Sequence, residues 1–166
     1  MIKGIHHIAI GVNDLEAAVD FYASAFGFSV VQRATIDAMP KANEAVGLQD
    51  MNANMAMLRT PNCFIELWQY CSPKPRNRVS EPNDLGYPHM AIQVSDIEEE
   101  HRRLTLAGMD FVGPPVDFGD SSAVYGRDPF GNVIEIYEIR ESEKAQLVTE
   151  TEASENRLFS GSKSAM

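Results

Sequence analysis

The chain has 166 residues, which suffices for one domain or for two small units that share a core. Its 24 acidic and 14 basic residues give a net charge of −10, which would repel phosphate backbones, so we expect no nucleic-acid partner. We expect no membrane association, because no apolar run approaches the ~18 residues of a membrane span and the N-terminus lacks the apolar core of a secretory signal. Two cysteines without a CxxC spacing argue against a disulfide scaffold and predict a cytoplasmic protein.

An internal repeat is visible in the sequence. Residues 7–16 (HIAIGVNDLE) align without a gap on residues 89–98 (HMAIQVSDIE), and six of the ten positions are identical. A later segment, 64–67 (FIEL), corresponds to 133–136 (VIEI). The offset between the copies falls from 82 residues to 69, so the first copy contains 13 additional residues. The sequence therefore predicts two related structural modules.

Each copy begins with a strand, continues with a helix and has room for three further strands. Residues rich in β-branched and apolar side chains predict the first strands at 5–12 and 88–94. The remaining strands are predicted near 28–33, 54–59 and 63–70 in the first copy, and near 110–113, 122–125 and 133–139 in the second.

The helix of each copy has its own start and stop signals. Asn13-x-x-Glu16 and Ser95-x-x-Glu98 predict the two helix starts, and Gly27 and Gly108 predict the two helix ends. The additional residues of the first copy fall in 34–49, which we expect to form a loop or a short helix over the site.

These elements predict an α+β fold made of two βαβββ modules. The composition changes after residue 140 and becomes rich in Ser, Glu and Lys, which is typical of a polar tail. The predicted boundaries are a domain at 1–140, made of module one at about 4–70, a linker at 71–86 and module two at about 87–140, followed by a tail at 141–166.

Both copies place a histidine early in the first strand and a glutamate inside the last strand. These residues are His7 and Glu66 in the first copy and His89 and Glu135 in the second. A single strand histidine or glutamate would be weak evidence, but the same two residue types occupy the same two places twice. Two imidazoles and two carboxylates form a mixed nitrogen and oxygen site that suits one Ni, Co, Zn, Mn or Fe(II) ion with open positions.

Side-chain alternation along a strand predicts which residues surround these ligands. Phe64, Trp68 and Tyr70 share one face with Glu66, and Tyr137 shares a face with Glu135. We therefore predict that these four aromatic residues bind the substrate and form an apolar wall around the ion. They indicate a small-molecule substrate with apolar character.

The sequence resembles the vicinal oxygen chelate superfamily, which includes glyoxalase I, methylmalonyl-CoA epimerase, extradiol dioxygenases and bleomycin or fosfomycin resistance proteins. The resemblance covers roughly residues 4–140. It depends on the segments His7-Ile8-Ala9-Ile10, Asp14-Leu15-Glu16, Phe21-Tyr22, Gly27-Phe28, Pro88-His89-Met90-Ala91 and Arg127 to Glu135. The family fold is two βαβββ modules whose sheets curve around a metal, which agrees with the repeat.

The resemblance implies a metal set of His7, Glu66, His89 and Glu135, close to that of bacterial glyoxalase I and the epimerases. It implies a lyase or isomerase in which the metal polarises a carbonyl and a carboxylate, Glu135 or Glu66, takes the proton from the neighbouring carbon. We favour Glu135 as the base on the resemblance alone. In relatives the modules pair within one chain or between two, so a homodimer is expected and the sequence leaves the arrangement open.

Two alternatives remain open at this point. One is an Fe(II) extradiol dioxygenase, in which Phe64, Trp68 and Tyr70 would hold an aromatic ring; a second carboxylate at the metal counts against it. The other is a non-catalytic protein that binds a small molecule in a groove. Oxygen uptake with a catechol would identify the first alternative, and a protein indifferent to added metal would identify the second.

Overall fold

The computed structural model describes residues 1–76, 81–141 and 147. The chain forms two mixed β-sheets with three helices among these residues, which confirms the predicted α+β class. The first half contains β1 (His7–Gly11), α1 (Leu15–Phe26), β2 (Ser29–Asp37), α2 (Pro40–Val46), β3 (Asn52–Arg59) and β4 (Phe64–Ser72). The second half contains β5 (Met90–Val94), α3 (Ile97–Leu106), β6 (Asp110–Phe111), β7 (Val116–Asp117), β8 (Ser121–Arg127) and β9 (Val133–Ile139).

The two sheets repeat one topology. The first sheet has the strand order β1-β4-β3-β2, and the second has the order β5-β9-β8-β6 with β7 also paired to β8. In each sheet the first strand runs parallel to the last strand of the same half, and the other pairs are antiparallel. The first and last strands of each repeat are therefore direct neighbours, which is the arrangement the candidate ligands require.

Helix α1 forms because its apolar residues recur at a spacing of three and four. Its buried face consists of Leu15, Ala18, Val19, Phe21, Tyr22 and Ala25. The carboxylate of Asp14 accepts a hydrogen bond from the backbone N–H of Ala17 at 3.1 Å, and Gly27 ends the helix with a φ of +69° that favours glycine.

The predicted helix caps are wrong by one residue in both copies. Asp14 and Asp96, not Asn13 and Ser95, cap α1 and α3, and the Asp96 carboxylate accepts from the Glu99 N–H. A carboxylate satisfies the same orphan N–H groups and also carries a charge that the helix dipole favours at this end.

One core joins the two halves. The side of each sheet that faces the helices contributes to a single apolar cluster with α1 and α3. Ile65 and Leu67 of β4 point into this core, as do Ile134 and Ile136 of β9. Because side chains alternate along a strand, Glu66 and Glu135 point to the opposite face of their sheets.

The segment at 34–49 contains both a strand end and a helix. Strand β2 continues to Asp37, beyond its predicted end at residue 33, and α2 follows at Pro40–Val46. Strand β7 was not predicted. The predicted tail at 141–166 lies outside the described residues except for Glu141 and Leu147. In the described part of the chain, no helix has the length and apolar character needed to cross a bilayer.

Candidate functional site

The first His–Glu pair consists of His7 and Glu66. Strands β1 and β4 lie side by side in parallel, and Ala9 is in register with Glu66. This register brings the Nε2 atom of His7 within 3.3 Å of the Oε2 atom of Glu66. The other ring nitrogen of His7, Nδ1, lies 2.9 Å from the Nδ1 atom of His6. His7 is therefore held at one nitrogen by its neighbour and meets the carboxylate with the other.

The second His–Glu pair consists of His89 and Glu135 and repeats this geometry. Ala91 of β5 is in register with Glu135 of β9, and the His89 Nε2 and Glu135 Oε2 atoms are 3.3 Å apart. The Nδ1 atom of His89 is buried without a hydrogen-bond partner among the described residues. The repeat predicted from the sequence thus produces two equivalent pairs of one imidazole and one carboxylate.

Trp68 orients the carboxylate of the first pair. Its indole Nε1–H donates a 2.7 Å hydrogen bond to Oε2 of Glu66, the same oxygen that faces His7. The Trp68 ring stacks on Tyr70 with centroids 5.4 Å apart. Burial of the ring, and then the negative charge of Glu66, raise the pKa of Tyr70. Trp68 and Tyr70 lie beside the carboxylate, as the alternation of β4 predicts.

Helix α2 covers this part of the first sheet. A small apolar cluster combines Ile36, Met51 and Ala53, and Ala42, Leu48, Trp68 and Tyr70 pack against it. A short helix is present in this segment, and through Ala42 it packs against the same cluster as Trp68 and Tyr70, the two aromatic residues next to Glu66. Phe64, at the other end of the face, stacks on His6 with centroids 5.0 Å apart.

Tyr125 is a site residue that the sequence analysis missed. It is in register with Glu135 on β8, and its hydroxyl lies 3.4 Å from Nε2 of His89. Burial of the ring, and then the charge of Glu135 together with a hydrogen bond to it, raise the pKa of Tyr125. The phenol therefore stays protonated at neutral pH and can donate. Tyr137 lies on β9, on the same face as Glu135, and is in register with Ala123 of β8 and Gln93 of β5.

The two pairs do not form one centre within this chain. Over residues 1–76, 81–141 and 147, no three His, Cys, Asp or Glu side chains lie close enough together to hold a metal ion. The structure thus brings each histidine to its glutamate, and it keeps the first pair apart from the second. Each pair is only half-buried, so both remain accessible from the open face of their sheet.

A divalent ion fits the donor atoms of each pair. Nitrogen and oxygen ligands about 2.0–2.2 Å from such an ion lie roughly 3.0–3.5 Å from each other in tetrahedral or octahedral geometry. The 3.3 Å between Nε2 and Oε2 in both pairs falls in that range. The Trp68 donor on Glu66 has the character of the outer hydrogen bonds that fix metal-binding carboxylates.

A groove lies away from the two His–Glu pairs. It has a volume of about 840 Å³ and runs between the edge strands β1 and β5, where Ile8, Ile65, Met90 and Ile92 line it. These side chains belong to the helix-facing sides of the sheets. None of the four residues of the His–Glu pairs is among the described residues that line it. The volume of this groove is therefore not a guide to the position of the His–Glu pairs.

Fold and site together define a two-module α+β protein with one His–Glu pair on each sheet. Residues 4–136 match the Glyoxalase/Bleomycin resistance protein/Dioxygenase superfamily. A 2-epi-5-epi-valiolone epimerase from an Actinomyces species is 30% identical over 143 residues, which cover 80% of this chain and 77% of the epimerase.

Solved structures of other proteins have the same fold. A glyoxalase family protein from Bacillus cereus superimposes with a TM-score of 0.77 at 27% identity, covering 85% of this chain and 97% of that one. The fosfomycin resistance protein FosX from Listeria monocytogenes, solved with Mn(II) and sulfate, shares the fold with a TM-score of 0.56 at 16% identity, covering 83% and 93% of the two chains. The chain belongs to the Glyoxalase/Bleomycin resistance protein/Dioxygenase superfamily. Members of this superfamily are often metal-dependent enzymes that act on small molecules.

Proposed function

We propose that the protein is a divalent-metal-dependent lyase or isomerase that moves a proton next to the carbonyl of a small oxygenated substrate. The observation that carries the proposal is the duplicated His–Glu pair, with the same 3.3 Å spacing in both repeats. Chance would not place the same two residue types at the same two positions of both repeats. The relationship to an epimerase at 30% identity supports proton transfer over oxygen-dependent ring cleavage.

We assign His7, Glu66, His89 and Glu135 as the residues that would hold the ion, which could be Ni, Co, Zn, Mn or Fe(II). When bound, the ion would supply Lewis-acid polarisation of the substrate carbonyl. Trp68 keeps one Glu66 oxygen fixed through its hydrogen bond, and His6 holds the ring of His7. The predicted roles of Phe64, Trp68, Tyr70 and Tyr137 toward substrate remain part of this proposal.

Glu135 is the proposed base. Its carboxylate would take the proton from the carbon next to the carbonyl, while the electron pair of the broken C–H bond moves toward the carbonyl oxygen. Return of the proton to either face of that carbon, or to its neighbour, completes epimerisation or isomerisation. Both carboxylates accept a hydrogen bond, Glu66 from Trp68 and Glu135 from Tyr125, so the choice of Glu135 over Glu66, the second candidate, rests on the family resemblance. Protonated Tyr125, beside Glu135 and His89, can donate to a substrate oxygen.

We further propose that a homodimer completes the site. Each His–Glu pair is formed inside its own sheet, and the described part of one chain does not bring the pairs together. Two chains could place the first pair of one copy against the second pair of the other.

A cytoplasmic location remains a prediction, supported by the two free cysteines, Cys63 and Cys71.

The experiment combines metal binding with proton exchange. The full chain, stripped of metal, is titrated with each candidate ion, and candidate oxo acids and thiohemiacetals are incubated with it in D2O. We expect one ion per chain and deuterium at the carbon next to the carbonyl. Glu135→Gln should lower the exchange rate by roughly 10²-fold or more, the usual contribution of a general base.

The control is Glu98→Gln, which removes an exposed carboxylate on α3 and should leave the exchange rate unchanged. Full exchange by Glu135→Gln would remove Glu135 as the base. Oxygen consumption with a catechol, or a protein that binds no divalent ion, would reject the proposed reaction class.

A further inference from the structure

Three apolar side chains stand open to solvent at one edge of the second sheet. We call Val112, Val116 and Phe118 the outer apolar strip; their exposed fractions are 83%, 53% and 66%. Isolated exposed apolar residues are ordinary, but three that lie together on one face of a sheet are not.

The strip lies on the same face of the sheet as the second His–Glu pair. Val116 is in register with Ala123, while the backbone N–H groups of Val112 and Phe118 bond to the carbonyls of Tyr125 and Ser121. Residues directly opposed on neighbouring strands point to the same face. Ser121, Ala123 and Tyr125 alternate along β8, and Tyr125 is in register with Glu135.

The distance from the pair to the strip follows from the strand order. Strand β9 carries Glu135, β8 lies next to it, and β6 and β7 lie beyond β8. Two strand spacings of about 4.8 Å give roughly 10 Å between Glu135 and the strip. Tyr125 lies between them, so the face passes from the charged His–Glu pair through the Tyr125 side chain to the apolar side chains of the strip.

The first repeat uses the corresponding region differently. There, α2 and Leu48 pack over the apolar side chains Ile36 and Ala53 beyond Glu66. In the second repeat, no helix among residues 81–141 lies over the strip, since α3 packs on the opposite face. Within the described part of the chain, a helix therefore packs on the apolar edge of the first sheet, and no helix packs on the corresponding edge of the second.

We infer that the outer apolar strip binds the apolar body of the substrate. The inference rests on the proposed function and deepens it by naming a substrate class: a molecule with a carbonyl-bearing oxygenated end, held at the second His–Glu pair, and an aliphatic or aromatic body about 10 Å long. The continuity of one face from Glu135 through Tyr125 to Val112 carries the inference.

The test uses Mn(II) and straight-chain 2-oxo acids of increasing length, from pyruvate to 2-oxododecanoate, whose chain of about ten carbons beyond the carbonyl spans the roughly 10 Å to the strip. Affinity for the Mn(II)-loaded full chain is measured by calorimetry. If the strip contacts the chain, each added methylene should raise affinity by roughly twofold to fourfold until the strip is covered. A triple variant, Val112→Asn with Val116→Asn and Phe118→Ser, should bind pyruvate as the wild type does and lose the dependence on length.

The control is Leu106→Asn, which removes an apolar side chain with an exposed fraction of 78% on α3, outside the strip. It should keep the dependence on length. Thermal unfolding of both variants checks that they fold, which we expect because every substituted side chain is exposed.

The outcomes separate this inference from the proposed function. Absence of binding of Mn(II) and of every other candidate ion by the wild type rejects the proposed function. Normal Mn(II) binding with no binding of the acids, or with affinities independent of chain length in the wild type, overturns the strip alone. The strip is also overturned if the triple variant keeps the length dependence, or if it changes the oligomeric state, since the strip would then pack against protein.

Discussion

At the scale of single residues, alternation on β4 is sufficient to place Trp68 beside Glu66. The sequence predicts Trp68 as a substrate-binding residue, and the structure shows its indole N–H on the carboxylate. Tyr125 could not be found in the same way. The position in register with Glu66 is occupied by Met57, so the repeat offers no counterpart to a tyrosine in register with Glu135.

The role of Trp68 can be tested without disturbing the packing. Trp68→Phe keeps an aromatic ring on Tyr70 and removes the N–H that fixes Glu66. Loss of such an outer hydrogen bond typically weakens metal affinity by roughly 10- to 100-fold. Titration of the metal-free variant with Mn(II) measures the change. Tyr70→Phe, which keeps the stacked ring, should bind Mn(II) within about twofold of the wild type; equal affinities in both variants would contradict a positioning role for Trp68.

At the scale of secondary structure, the turn between β8 and β9 is hydrogen-bonded to helix α1 of the first half. Tyr22 of α1 donates a 2.8 Å hydrogen bond to Oδ2 of buried Asp128, whose Oδ1 accepts from the N–H groups of Phe130 and Asn132. The sequence predicts the helix and the two strands that the turn connects, but the contact between helix and turn depends on tertiary packing over 106 positions. Local patterns also missed the end of β2, because a strand can extend wherever its neighbour β3 offers partners.

This contact predicts a dependence of stability on pH. Burial, followed by the charge of Asp128 and the hydrogen bond to it, raises the pKa of Tyr22 well above its ordinary value near 10. The folded state therefore retains the phenol proton more tightly, so the stabilisation is complete below pH ~10 and declines as the pH rises further. Tyr22→Phe should cost roughly 1.5–3 kcal/mol at pH 7, the range for hydrogen bonds to charged groups.

Urea unfolding at pH 7 and above pH 10 measures both effects. The difference between the wild type and Tyr22→Phe should shrink at the higher pH, because the wild type alone loses this contribution. Tyr87→Phe is the matched control, since Tyr87 is fully exposed and its substitution should leave both curves unchanged. A difference that grows with pH would show that the sign is wrong.

At the scale of the whole molecule, the repeat predicted two modules and the members of each His–Glu pair, but it could not predict where the pairs lie relative to each other. A repeated sequence fixes the neighbours inside a sheet, because β1 meets β4 and β5 meets β9 by the same register. The relation between sheets depends on the shared core around α1 and α3, and in the proposed homodimer the completed site depends on a second chain. Neither leaves a periodic signal in the sequence.

The proposed homodimer has a direct test. His7→Ala and His89→Ala should each bind metal poorly alone. When the two variants are mixed and allowed to exchange subunits, half of the dimers contain both chains, and each of these has one intact site, so about one quarter of the metal capacity should return. Metal capacity and sedimentation measure the outcome. If one chain holds the entire site, mixing will restore nothing.

The difference between Met57 and Tyr125 has a consequence for stereochemistry. Two copies of one His–Glu pair, brought together in the proposed centre, would by themselves offer a substrate two equivalent orientations. A phenol in one module and a thioether in the other remove that equivalence. The proposed centre would then be handed, so a prochiral carbon would meet its proton donor from a single side.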